Sequence, residues 1–171
     1  MNIHFYLEKL HSSDEFKKFI QENPDAFLCS GFFVSDKEEI KKPDNRVHLD
    51  FYSPKNEKAF SFDMTEGIKI LPLENFSKGP DKISEDIEID FEEMEKLISE
   101  KMKEENVNSK IQKILFSLQN DSKKDFLTAI IFISMLGILK ATIDLPEKKV
   151  RDFEKKSFMD MFKVVKKEKK D

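Results

Sequence analysis

Apolar positions along this chain change period several times, and the changes divide it into helices and strands. Ile3, Leu7 and Leu10 fall at helical spacing, which predicts a short helix or an extended lead-in. Ser12 and Glu15 have the spacing of a capping box, and Phe16, Phe19 and Ile20 share one face of the helix that follows until Pro24 stops it. Residues 26–35 (AFLCSGFFVS) are rich in strand formers and read as a buried strand. Residues 46–53 then alternate, with Val47, Leu49 and Phe51 on one side and Arg46, His48, Asp50 and Tyr52 on the other. A turn at 54–57 leads to a second alternation through Phe60, Phe62 and Met64, so the two segments predict a hairpin. Gly67 relieves the backbone at a turn before a short strand carrying Ile68 and Ile70.

Residues 72–89 contain Gly79-Pro80 and sustain no period, which marks them as a boundary. Asp90 and Glu93 open a helix whose buried stripe is Phe91, Met94, Leu97, Ile98 and Met102. A strand pattern ends the stretch 110–119. The apolar residues 126–145 read as two strands joined near Met135-Leu136-Gly137, because their isoleucines favour strands and a wholly apolar helix would need burial on every side. One helix across Leu136 and Gly137 is the rival. Phe153, Phe158, Met161, Phe162 and Val165 recur at helical intervals and predict a terminal helix before a lysine-rich tail.

The order helix, then three strands, with an aspartate closing the last of them, occurs at 13–70 and again at 90–150. It predicts an α+β fold: a tandem pseudo-repeat of a helix followed by a three-to-four-stranded antiparallel sheet, plus a C-terminal helix. The expected divisions are a first unit at 1–71, a linker at 72–89, a second unit at 90–150, and the helix and tail at 151–171. Asp63, Gly67 and Asp144 define the turns, with the aspartates accepting turn N–H groups.

Residues 60–70 (FSFDMTEGIKI) and 140–152 (KATIDLPEKKVRD) resemble the end of PepSY-like units, in which a last strand carries an Asp, followed by a turn and an apolar residue. Gly67 lies four residues after Asp63, as in that family, with Thr65 one place early. After Asp144, Lys148 stands at the glycine position. The resemblance implies a small cystatin-like α+β fold used in protein–protein regulation, including proposed peptidase inhibition, with no catalytic residues or cofactor of its own.

Composition narrows the function classes. Hydrophobic residues make up 39% of the 171 and charged residues 37%, while 17 Phe supply enough apolar area for a core. The net charge of −4 argues against nucleic-acid binding. It is unevenly placed: residues 81–105 hold 11 acidic and 4 basic residues, and residues 146–171 hold 10 basic and 6 acidic ones. Such asymmetry suits steering of a protein partner. The longest apolar run, 126–139, is too short for a membrane span. A single cysteine excludes an internal disulfide and, with no signal-peptide pattern at the start, makes the cytoplasm the expected location.

Candidate chemistry is sparse. Cys29 would need His48 beside it to act as a nucleophile, and an apolar strand instead favours an inert thiol. His4 and His11 could share a helix face but lack a third metal ligand. Asp86, Glu88, Asp90, Glu92 and Glu93 cluster at a helix start, where they complement its dipole. With four Gly and no phosphate-loop motif, no cofactor is expected. The sequence therefore predicts a non-enzymatic protein-interaction or regulatory protein, with Phe158, Met161, Phe162 and Val165 as candidate partner-binding positions. The alternative is a binder of a small apolar ligand in a Phe-lined cavity.

Overall fold

The computed structural model describes residues 2–38, 43–74 and 79–156. In chain order these form α1 (Ile3–Ser12), α2 (Asp14–Glu22), β1 (Phe27–Asp36), β2 (Arg46–Ser53), β3 (Lys58–Asp63), β4 (Lys69–Leu73), α3 (Phe91–Glu104), β5 (Ile111–Asn120), β6 (Asp125–Ile133), β7 (Gly137–Asp144) and β8 (Lys149–Lys156). All eight strands join one antiparallel sheet in the order β4-β3-β2-β1-β5-β6-β7-β8.

The expected tandem of helix-plus-sheet units is therefore corrected: the fold is predominantly β, built on a single sheet. The cause is the pairing of β1 with β5, which runs from Gly31↔Leu118 to Asp36↔Lys113. Two separate sheets would each leave an inner strand with an open row of main-chain donors and acceptors, and the β1–β5 seam removes both edges at once. The helices are also unequal in number, with two before β1 and one before β5. The expected C-terminal helix is corrected over 149–156, where the chain forms β8 against β7. Val150 and Phe153 both face the core there because the ladder shifts register between Thr142 and Ile143, so a spacing of three that fits a helix is met by a bulged strand.

One side of the sheet carries all three helices. Ile3, Leu7 and Leu10 of α1, Phe16 and Phe19 of α2, and Phe91, Met94, Ile98 and Met102 of α3 are buried against it. The strands answer in register: Leu49, Gly31, Leu118, Leu127 and Ile143 form one cross-strand row, and Val47, Phe33, Phe116, Ala129 and Ala141 the next. Phe16 and Phe19 pack edge-on against Phe51 and Phe62 with ring centroids 5.0–6.2 Å apart, and Phe91 bridges Phe33 (4.5 Å) and Phe116 (5.3 Å). The α2 cap is Ser13 rather than Ser12: its hydroxyl accepts the Phe16 N–H at 3.2 Å. Asp90 caps α3 as expected, accepting the Glu92 N–H at 2.9 Å.

Residues 126–145 form the two strands β6 and β7, joined by a tip in which Met135 (φ 66°) and Leu136 (φ 60°) are left-handed and exposed to 95% and 81%. The stretch that follows β4 is part of the core rather than a free tether. Ile83, Ile87 and Ile89 are buried, the Ile83 N–H bonds the Leu28 carbonyl (2.9 Å), and the Ile3 N–H bonds the Ile89 carbonyl (3.0 Å). Asp125 fixes this stretch. Its buried carboxylate accepts the Ser84 N–H at 3.1 Å and the Asn120 amide at 2.8 Å.

Asp125→Ala would strand both donors, so it is expected to lower the unfolding free energy by about 1–3 kcal/mol in urea titrations. An unchanged midpoint would show that the contact contributes nothing net.

Candidate interaction face

Alternation puts half of each strand's side chains on the side away from the helices. Three cross-strand rows describe that face. Arg46, Val34, Leu115, Ile130, Lys140 and Glu154 form the middle row; His48, Phe32, Ser117, Thr128, Thr142 and Asp152 lie to one side; Asp36, Lys113, Phe132, Ile138 and Lys156 lie to the other. Phe32, Val34, Leu115, Ile130, Phe132 and Ile138 thus make one apolar band across the central strands. Val34 and Ile138 are buried and the other four half-buried, and no described helix lies over them.

Charge borders the band at both ends. Lys113 lies 3.5 Å from Asp36 and 3.4 Å from Asp44, and Asp44 holds Arg46 at 2.7 Å. On the far side Lys124 bonds the buried carboxylate of Asp144. With strands about 4.8 Å apart and about 3.3 Å per residue, eight strands offer a face on the order of 900 Å². A standard protein interface takes about 800 Å² from each partner.

The turn-defining residues sit at strand ends. Asp63 closes β3 and accepts the Thr65 N–H at 2.9 Å, and Gly67 occupies the same turn at φ 119°, where a side chain would be strained. Asp144 closes β7 and accepts the Glu147 N–H at 3.2 Å, while Lys148 adopts φ 48° with its ammonium 2.9 Å from Glu93. The Thr65 N–H holds the Asp63 carboxyl below its ordinary pKa, the Lys124 ammonium does so for Asp144, and the Asp44 and Glu38 N–H groups do so for Asp36.

Cys29 and His48 are not brought together. His48 pairs with Phe32, three residues along β1 from Cys29, and its Nδ1 lies 3.5 Å from the Ser61 hydroxyl. The buried Cys29 thiol donates to the Asp50 carbonyl (3.3 Å), and burial, followed by the Asp50 carboxylate, pushes its pKa up to about 12. His4 lies 3.3 Å from Glu8 in α1, whereas His11 stacks on Phe16. Among the described residues no group of three or more His, Cys, Asp or Glu could hold a metal ion. Phe158, Met161, Phe162 and Val165 lie outside the described residues. Sequence reasoning read 126–145 as two strands that are apolar on both faces, but the continuation of the second face through Leu115, Val34 and Phe32 required the register.

No protein-family model matches the chain, and no curated protein matches it. Among solved structures it is similar to a protein of Clostridium difficile 630 described as a putative lipoprotein, with a TM-score of 0.53 and 16% identity, over 84% of this chain and 91% of that one. That likeness shows a shared fold. No described helix is long and apolar enough to cross a membrane.

Carboxylates held below their unfolded pKa values stabilise the fold above about pH 4, and that contribution drains away as pH falls through the folded values. Urea midpoints are therefore expected to drop between about pH 5 and pH 2, with a shallower drop in Asp144→Asn; a slope equal to the wild type's would remove Asp144 from the account. The Cys29 thiol is expected to resist a thiol-directed disulfide reagent at pH 8 until the chain unfolds. Rapid labelling of the folded protein would contradict its burial.

Proposed function

We propose that this chain is a protein-interaction module that acts without catalysis and engages a partner protein through the face of its sheet that no described helix covers. The observation that carries the reading is the band of Phe32, Val34, Leu115, Ile130, Phe132 and Ile138, bordered by paired charges. An apolar centre inside a polar rim is the anatomy of a specific interface, and the area of the face meets the size such an interface needs. The PepSY-like resemblance of the strand ends supports the same class, a regulator that binds another protein, with peptidase inhibition as one form of it. A location in the cytoplasm belongs to this proposal, on the strength of the single buried thiol.

A second reading, the binding of a small apolar ligand, has one observation behind it. An open groove of about 330 Å³ is lined by Leu7, Phe16, Leu28, Phe51, Ile83 and Ile87, with His11 at its side.

The test is capture of partners from the native cell by the full chain and by Leu115→Lys and Ile130→Lys. Variants that keep the wild-type circular dichroism spectrum and lose the captured protein, with affinity down by about thirtyfold or more, are the expected result. Retention by both folded variants would sink the face as the interface. Co-purification of a small apolar molecule, displaced by Leu7→Trp but unaffected by Ile130→Lys, would favour the second reading instead.

A further inference from the structure

The apolar band reaches to within one strand of the sheet's edge. Phe132 pairs with Ile138 and Ile138 with Lys156, so Lys156 stands in one of the band's own cross-strand rows, on the face that no described helix covers. β8 is the outermost strand there, and Lys156 is its last residue. The chain thus leaves the sheet one strand spacing, about 4.8 Å, from the strand that holds Ile138.

The sequence beyond Lys156 matches the band in chemistry. Of the eight residues 158–165, six are apolar (Phe158, Met159, Met161, Phe162, Val164 and Val165), and 166–171 (KKEKKD) are all charged. These residues lie outside the described ones. Four strand spacings, about 19 Å, separate β8 from β1, and the nine residues from 157 to 165 reach at most about 30 Å. Every member of the band is within that reach. The tether at Lys156 also makes the encounter intramolecular, at an effective concentration on the order of millimolar, which favours this segment over a second copy or a free protein.

We propose that residues 158–165 of this chain fold back over the band and cover Leu115, Ile130 and Phe132 in the free protein, so that a partner gains the face by displacing them. The driving force is removal of two apolar surfaces from water at once, since those three band residues are otherwise only half-buried. The covering stands on the band and the tether alone; the displacement rests on the function proposed above. Coverage lowers a partner's apparent affinity by the fraction of chains whose face is open, which makes the segment a gate on the interface.

The test places the photo-cross-linker benzoylphenylalanine at position 162 of the full chain, irradiates the purified protein, and maps the attachment by mass spectrometry. The expected product has the mass of one chain and is joined within 113–118 or 128–133, and its yield falls about tenfold in a folded Ile130→Lys variant. The attachment point is read with the band unaltered, so it holds even if that variant fails to fold. Attachment to the helix side of the sheet, a product of two chains, or no attachment to protein overturns the covering. So does attachment to lipid alone when anionic vesicles are added, which would assign the apolar run to a membrane surface. Phe158→Ser/Phe162→Ser alters no described residue and is expected to tighten capture of the partner by about tenfold. Unchanged or weaker capture by that variant overturns the displacement. The cross-link is read on the chain alone, so its failure is distinct from a failure of the proposed function, which only capture addresses.

Discussion

The pairing of β1 with β5 is the interaction on which the rest of the structure depends. It joins residues 31–36 to residues 113–118, and the strands on either side extend outward from it. Its core side is closed by Phe33, Phe91 and Phe116, three fully buried rings that also seat α3 on the seam. Gly31 belongs to the same construction, because a Cβ there would stand 2.9 Å from the Phe33 ring. Any side chain at 31 would compete with Phe33 for the space beneath Phe91.

A continuous sheet has two faces, and the described helices all lie on one. The strands near the seam are apolar on both sides: β6 sends Leu127, Ala129 and Ile131 to the helices and Ile130 and Phe132 to the opposite face. That second set is more apolar than a solvated sheet face requires. The surrounding charges are engaged with one another, as in the Asp36, Lys113, Asp44 and Arg46 cluster, so the border is ordered around an apolar centre. The face therefore differs in kind from the β8 edge, where charges line the strand itself.

Much of the local structure was legible in the sequence, because local structure follows short-range periods. The alternation of Val47, Leu49 and Phe51 gave β2, the stripe from Phe91 to Met102 gave α3, and the isoleucines around Met135-Leu136-Gly137 gave two strands instead of a helix. What was not legible is long-range. No pattern inside 27–36 or 111–120 states that these strands find each other across some eighty residues, and the expected tandem of sheets failed at that point. Val150 and Phe153 show the other limit: two apolar residues three apart satisfy a helix and, with a register shift in the ladder, a strand as well. The apolar band was hidden for the same reason as the seam, since its members come from four strands and become neighbours only through register.

The hairpin tip between β6 and β7 has a consequence in oxidation chemistry. Of the methionines among the described residues, Met64, Met94 and Met102 are at most 4% exposed, while Met135 is 95% exposed at the end of its turn. Among these four, peroxide would reach Met135 first and convert its thioether to a polar sulfoxide. The change would fall on a side chain that packs against nothing in the core, so the fold would survive it while the tip turned from apolar to polar. The protein thus carries at this tip a surface whose polarity a mild, reversible oxidation can reset.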